Sequence, residues 1–455
     1  MKRDDVKKII LPESEIPKQW YNIQADLPTP LDPYYSGQTM KPAMPADMLA
    51  IFPMALIQQE MSQERYIDIP EPVREMYKQF RPSPLYRARE LEIALGTPAR
   101  IYYKYEGGNA TGSHKLNTAI AQAYYNKEAG IKNIATETGA GQWGSALSMA
   151  CQHFGMGLEV FMVKCSFEQK PFRKIFMETF GATVHSSPSD LTMSGKKIKE
   201  MYPDTQGSLG IAISEAVEVA ATHADTNYSL GSVLNHVCMH QTVIGLEAQK
   251  QMDTVDETPD VVIACIGGGS NYAGLVFPFM KDKLHGKSKT RFIGVEPTAC
   301  PTMTRGEYAY DFGDTAGVAP IAKMYTLGAS YMPQGIHAGG LRYHGMSPIV
   351  SKLFNEGYME AKAYDQLAVF DAAIQFARVE GIVPAPESAH AIRAAIDEAL
   401  EAKKTGEEKV ILFNLSGNGY FDMYAYDSYL HGTMKDSSVG DDYIQKCLKG
   451  LPVLG

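Results

Sequence analysis

The chain has no long apolar run. Nothing in its 455 residues reaches the length of a membrane span, and the charged start MKRDDVKKII lacks the apolar core of a secretory leader, so a cytoplasmic protein with no membrane partner is expected. Basic charge is also scarce. Lys and Arg number 43 against 52 Asp and Glu, a net charge of −9, and the lysines are scattered among acids; without a basic stripe, nucleic acid is not an expected partner. Cysteine is sparse as well. Cys151, Cys165, Cys238, Cys265, Cys300 and Cys447 never form C-x-x-C, a spacing that points neither to a zinc ribbon nor to a disulfide framework. Repeats and low-complexity segments are lacking too. What remains is a composition of 45% hydrophobic and 21% charged residues, that of a globular protein, in a chain long enough for about two or three folding units.

The first eighty or so residues are rich in proline, and LPTPLDPYY and MKPAMPADM forbid long regular elements there. Trp20, Tyr21, Tyr34 and Tyr35 make the segment too apolar for a free tail, so it is expected to pack over something. From residue 100 onward short β-branched runs alternate with helical patterns. RIYYKY, NIAT, LEVFMV, ATVH, DVVIACI, RFIGVE and VILFNLS read as strands, and QWGSALSMACQHF, PFRKIFMETF, SEAVEVAATH and ESAHAIRAAIDEALEAKK as helices. This alternation predicts an α/β fold of parallel sheets covered by helices on both faces.

Ligands on such sheets bind beyond the carboxyl ends of strands. Three strand ends carry suitable turns. Gly267, Gly268, Gly269, Ser270 and Asn271 let several backbone N–H groups converge at a helix start, which suits a phosphate monoester; a ligand-free tight turn is the ordinary alternative. Their spacing is neither the dinucleotide G-x-G-x-x-G nor the nucleotide G-x-x-x-x-G-K-[ST]. In TETGAGQWG, the N–H groups of Thr138, Gly139, Ala140, Gly141 and Gln142 could hold a carboxylate, with Glu137 beside them as an acid or base; alone, Glu137 reads as a partner of the helix start. The third end is Ser416 in NLSGNG. To these GSHKLN adds Lys115, whose amine could form a Schiff base with an aldehyde and then move a proton; a lone lysine would read as solvated surface. Together they describe pyridoxal 5′-phosphate on an α/β scaffold. A hydroxyl at Ser416, in place of a carboxylate, would leave the pyridine nitrogen largely unprotonated and favour β-elimination and β-replacement. HVCMH sets His236 and His240 one helical turn apart, as a zinc pair would be, but lacks the glutamate of H-E-x-x-H and a third ligand, so no metal site is expected.

These motifs, in the order GSHKLNTA, TETGAGQWGSAL, GGGSN, HAGGLRYHG and GIVPAPESAHA, resemble the tryptophan synthase β chains, pyridoxal-phosphate enzymes of fold type II. The resemblance runs from RPSPLYRARELEIALGTPARIYYKYE at residue 81 to SGNGYFD ending at residue 422, and the WYNIQADLP start is similar to the divergent second group of β chains. It implies two three-layer α/β/α halves. Residues 1–80 would form a segment packing on the amino-terminal domain; 81–113 would belong to the carboxy-terminal domain; 114–238 would form the amino-terminal domain with a mobile lid at 130–217; and 239–455 would form the phosphate-binding domain.

The implied roles follow residue by residue. Lys115 would hold the cofactor and move the α-proton, with His114 near the phosphate, Gly267 to Asn271 forming its cup, Gln142 near the phenolic oxygen, Ser416 at the pyridine nitrogen and Glu387 close by. Thr138 to Gln142 would bind the amino-acid carboxylate, and Glu137 would serve where indole attacks. The implied reaction makes L-tryptophan from indole and L-serine in a homodimer, with room for a monovalent cation; an α chain as partner is left open by the long amino-terminal segment. Where the major group carries an aspartate, this chain has Arg342. An arginine there binds phosphate well and would admit O-phosphoserine as donor; pairing with Glu137 is the alternative. Another β-eliminating lyase of fold type II, related to serine or threonine dehydratases or threonine synthase, is the rival reading.

Overall fold

The computed structural model describes residues 6–44 and 48–454; the parts of the 1–80 segment at residues 1–5 and 45–47 lie outside the described residues. Two sheets organise the chain. The larger runs in the order Lys8–Ile9, Leu85–Arg87, Arg100–Tyr105, Val410–Leu415, Val261–Cys265, Arg291–Pro297, Glu360–Tyr364. Its last five strands are mutually parallel and its first two antiparallel edge additions. VVIAC is buried at every position, as a strand covered on both faces must be. Alternation then divides the core. Ile101, Tyr103, Val261, Ile263, Ile411 and Phe413 face the alanine-rich helix Pro386–Thr405, whereas Tyr102, Val262, Leu412 and Phe292 face the side built with Ser270–Leu284 and Val243–Asp253.

The smaller sheet is wholly parallel, in the order Thr183–Ser187, Gly157–Val163, Asn133–Thr138, Thr226–Tyr228. Ile134 and Val160 pack with helices Leu116–Glu128 and Gln142–Phe154 on one face, while Phe161 and Val163 pack with Leu209–Thr222 on the other. Both sheets are thus sandwiched, giving the expected two α/β/α layers.

The amino-terminal segment lies across both halves. Lys8–Ile9 extends the larger sheet, Trp20 is fully buried with its ring 4.4 Å from that of His240, and helix Met54–Met61 docks on helix Asn235–His240. Glu60 makes the docking specific. It accepts from the N–H groups of Asn235 and His236, from His236 Nδ1 at 2.8 Å and from the Tyr34 hydroxyl at 2.8 Å. Burial pushes its pKa up, but the donors from His236 and Asn235 outweigh burial and hold it below the usual range. His240 bonds Gln59 and Thr118 in turn. Both histidines of HVCMH therefore anchor this segment, and among the described residues no group of three or more His, Cys, Asp and Glu could hold a metal. All six cysteines are free and buried, and no helix among the described residues is long and apolar enough to cross a membrane.

Candidate active site

Three parallel strands deliver the site at their carboxyl ends: Val261–Cys265 leads into Gly267 to Asn271, Val410–Leu415 into Ser416, and Asn133–Thr138 into the Thr138 to Gln142 loop. A cavity of about 480 Å³ opens between the first two. Gly267 to Asn271, His114, Lys115, Gln142, Glu387 and Ser416 all line it, together with Ser113 and Ser232. Side chains larger than hydrogen would not fit its floor. A Cβ on Gly267 would lie 2.4 Å from the Gly340 carbonyl oxygen, and one on Gly268 would lie 2.4 Å from Ser232 Oγ; Gly269 has φ +105° at the start of Ser270–Leu284. The side chains of the cup serve mainly to hold its shape. Asn271 donates to the Cys265 carbonyl and accepts from Asn414 at 2.6 Å, and Ser270 Oγ donates to the Gly231 carbonyl at 3.2 Å. The Ser270 N–H leans on Ser232 Oγ at 3.4 Å, and the remaining backbone N–H groups at the helix start are left for an anion.

Lys115 enters from the side, immediately before helix Leu116–Glu128, and its amine donates to the Gly231 carbonyl at 3.1 Å. Burial pushes its pKa down to about 8, although Glu137 and Glu387 pull the other way. His114 is pinned by its backbone N–H and Nδ1 to the Ser416 carbonyl, and burial takes its imidazole down to about 3, so it is neutral. Ser416 Oγ is 2.8 Å from Ser388 Oγ. Glu387 accepts the N–H of Gly340 on Oε1 at 2.8 Å.

A second cavity of about 520 Å³ adjoins the first, and Lys115, Gln142, Ser232, Gly268 and Gly340 belong to both walls. Its lining carries Glu137 and, from the loop, Thr138, Gly139, Ala140 and Gln142. Thr138 Oγ1 is spent on the Gly144 N–H, and Gly141, at φ +95°, starts helix Gln142–Phe154, leaving backbone donors for a carboxylate. The same cavity has an apolar lining of Leu209, Ile213, Leu230 and Val233, with the Tyr343 ring. Glu137 is buried and accepts a 2.6 Å hydrogen bond from the Tyr228 phenol. Burial pushes its pKa up to about 8 against the opposing pull of Tyr228 and Lys115.

Arg342 sits behind this wall and outside the lining of both cavities. Its Nη2 points at Cys165 Sγ (3.0 Å) and Ser166 Oγ (3.4 Å) on helix Lys164–Gln169, and its Nε is buried without a partner. A pairing with Glu137 is not formed: Arg342 is turned to Cys165 and Ser166, and the Glu137 carboxyl bonds Tyr228. The motifs also failed to announce Ser232, Ser388 and Tyr228. Ser232 could have been sought in the LGS turn after the short Thr226–Tyr228 strand, and Ser388 in PES; Tyr228 carries no local signal.

Three buried polar atoms around the first cavity lack partners: Ser113 Oγ, His114 Nε2 and Glu387 Oε2. Unpaired buried groups are rare unless a ligand completes them. With a glycine cup for an anion and a lysine amine alongside, they fit a phosphorylated pyridine aldehyde, and fold and site define an enzyme of the pyridoxal-phosphate class. Comparison with known proteins agrees. Residues 77–417 match the model of the family described as pyridoxal-phosphate dependent enzyme. The chain is 61% identical to tryptophan synthase beta chain 2 of Methanosarcina acetivorans, covering 95% of this chain and all of the relative, and 60% identical to tryptophan synthase beta chain 2 of Aquifex aeolicus over the same shares. A fungal L-serine ammonia-lyase from Rhizomucor miehei shares the fold, with TM-score 0.56 at 16% identity over 77% of this chain and 98% of that one. The chain belongs to the pyridoxal-phosphate-dependent enzymes and, within them, to the tryptophan synthase β chains.

Proposed function

We propose that the chain makes L-tryptophan by β-replacement, joining indole to a three-carbon amino-acid donor. The observation that carries this reading is the meeting of two cavities at Lys115, one built for a phosphorylated cofactor and the other carrying a protonatable carboxyl at the edge of an apolar chamber. Pyridoxal phosphate, held by Lys115 and the Gly267 to Asn271 cup, supplies the electron sink that makes the donor's α-hydrogen acidic. Thr138 to Gln142 bind the donor carboxylate through backbone N–H groups. Lys115, with its pKa lowered by burial to about 8, removes and returns the α-proton. Glu137, protonated in its buried setting, hands a proton to the departing β-substituent and then, ionised, faces the N–H of indole. Leu209, Ile213, Leu230 and Val233 give the flat apolar acceptor its place. Closure of residues 130–217 as a lid excludes water from the reacting carbons. The working unit is a homodimer, with an α chain left open as partner; light scattering with and without added α chain decides both.

The donor is the second part of the proposal. Arg342 is a buried guanidinium with no carboxylate bonded to it among the described residues and a free Nε; because it lies outside the lining of both cavities, O-phosphoserine becomes the donor only if Arg342 turns from Cys165 and Ser166 into the second cavity, and L-serine is the donor otherwise. To test both parts, the cofactor-loaded protein is given L-serine or O-phosphoserine, then indole, while the visible spectrum and tryptophan are followed. Tryptophan from neither donor would sink the reaction. Equal donor preference in wild type and Arg342→Ala would sink the role of Arg342.

A further inference from the structure

Besides its own backbone, Glu137 is held by one side chain. Strand Thr226–Tyr228 runs parallel to Asn133–Thr138 with Tyr228 opposite Ala135, so the tyrosine side chain shares the face of Ala135 and Glu137. From there the phenol leans along the sheet and donates to Glu137 Oε2 at 2.6 Å. That phenol is the carboxyl's one side-chain hydrogen-bond partner among the described residues. The tyrosine is itself fixed from behind: its N–H donates to the Ile51 carbonyl at 2.8 Å, and its ring lies 5.8 Å from that of Phe52. Both belong to the amino-terminal segment.

We propose that Tyr228 is a positioning residue that decides which oxygen of Glu137 carries the working proton. An oxygen accepting a hydrogen bond from a phenol is the carbonyl oxygen of a neutral carboxyl, so the proton resides on Oε1, the other oxygen of a carboxyl that lines the second cavity. When the Oε1–H bond breaks and its proton leaves toward the cavity, the negative charge spreads to Oε2 and the phenol bond strengthens. Tyr228 therefore both aims the proton and eases its departure. The inference rests on the reading of Glu137 as a proton-handling carboxyl. Other titratable groups facing it are the Lys115 amine and the Tyr343 phenol, with Asp314 acting on Tyr228. None of the three bonds Glu137, so none can replace the phenol in fixing the proton.

The test is infrared difference spectroscopy of the cofactor-loaded enzyme against Glu137→Gln, which isolates the carbonyl stretch of this one carboxyl and follows its loss with pH. In Tyr228→Phe the band moves to higher wavenumber, because its oxygen has lost a donor, and its midpoint rises by roughly one pH unit, as expected for one charge-assisted hydrogen bond. The alkaline limb of kcat for tryptophan formation moves with it. Incorporation of 3-fluorotyrosine at position 228, which keeps ring and hydroxyl but makes a stronger donor, shifts the midpoint down, and it provides the answer should the phenylalanine variant fail to fold. Coincident midpoints in wild type and either variant overturn the proposal. An active Glu137→Gln would overturn the role of Glu137 while leaving the Tyr228 hydrogen bond measurable in the infrared.

Discussion

At the scale of single residues, the candidate site withholds water from two ionisable groups, Lys115 and Glu137. An exposed lysine is almost entirely protonated at neutral pH, whereas burial leaves a useful fraction of Lys115 as the free amine. Cofactor capture should report this directly. Apoprotein mixed with pyridoxal phosphate over about pH 6 to 10 is expected to gain its visible band at a rate that climbs with pH and flattens just above 8, since only the neutral amine attacks the aldehyde. Lys115→Ala should show no such band. A rate still rising near the ordinary lysine value of ~10.4 would mean that the amine is solvated. Much of this was legible beforehand: Lys115, Glu137 and the glycine cup sit in short motifs whose chemistry is local. Ser232, Ser388 and Tyr228 were not, because each acquires its role from a partner distant in the chain, Ser388 from Ser416 and Tyr228 from Glu137.

At the scale of elements, the strands read most plainly are those hidden on both faces, such as Val261–Cys265 and Val410–Leu415, where burial demands an unbroken apolar run. Two edge strands escaped, whereas the edge strand Thr183–Ser187 was read from ATVH. EAKAY at Glu360–Tyr364 has helix-forming composition and becomes a strand only because it hydrogen-bonds to Arg291–Pro297, and Thr226–Tyr228 is three residues long. The turn after Val261–Cys265 is where an element's geometry becomes function, and it admits a sharp test. In Gly267→Ala the new methyl would meet the Gly340 carbonyl oxygen at 2.4 Å and Leu341 Cα at 3.0 Å, both backbone atoms that cannot step aside. Cofactor affinity, measured by titration of the apoprotein, should fall by about tenfold or more, ~1.4 kcal/mol. Gly335→Ala, where nothing lies within 4 Å, is the matched control and should bind as wild type does. Equal affinity in the two variants would show that the cup is loose enough to rebuild.

At the scale of the whole molecule, the two halves and the amino-terminal segment are joined by one buried polar network. Arg81 donates to Glu106 and Glu247, each at 2.9 Å, and to Asn117 Oδ1 at 2.9 Å, two residues beyond Lys115; Lys104 donates to Glu247 at 2.8 Å and to Gln251, whose amide reaches the Ile9 carbonyl. Two cations balance two anions, all with side chains at most 1% exposed. Such clusters are neutral to stability when complete and costly when broken, by about 3–5 kcal/mol for loss of one partner. Burial alone would raise the pKa of Glu106, but Arg81 and Lys104 overcome it and hold it at about 2. A folded value below the unfolded one means that the stabilisation is complete above the unfolded pKa, about 4.3, and is lost as pH falls toward 2. Glu106→Gln mimics the protonated state at every pH. Its melting temperature should therefore lie well below that of wild type at pH 7, and the gap should close as both are acidified below about pH 4.3. A gap that stays constant down to the lowest pH at which wild type folds would mean that Glu106 holds its place by shape and hydrogen bonding, not by its charge.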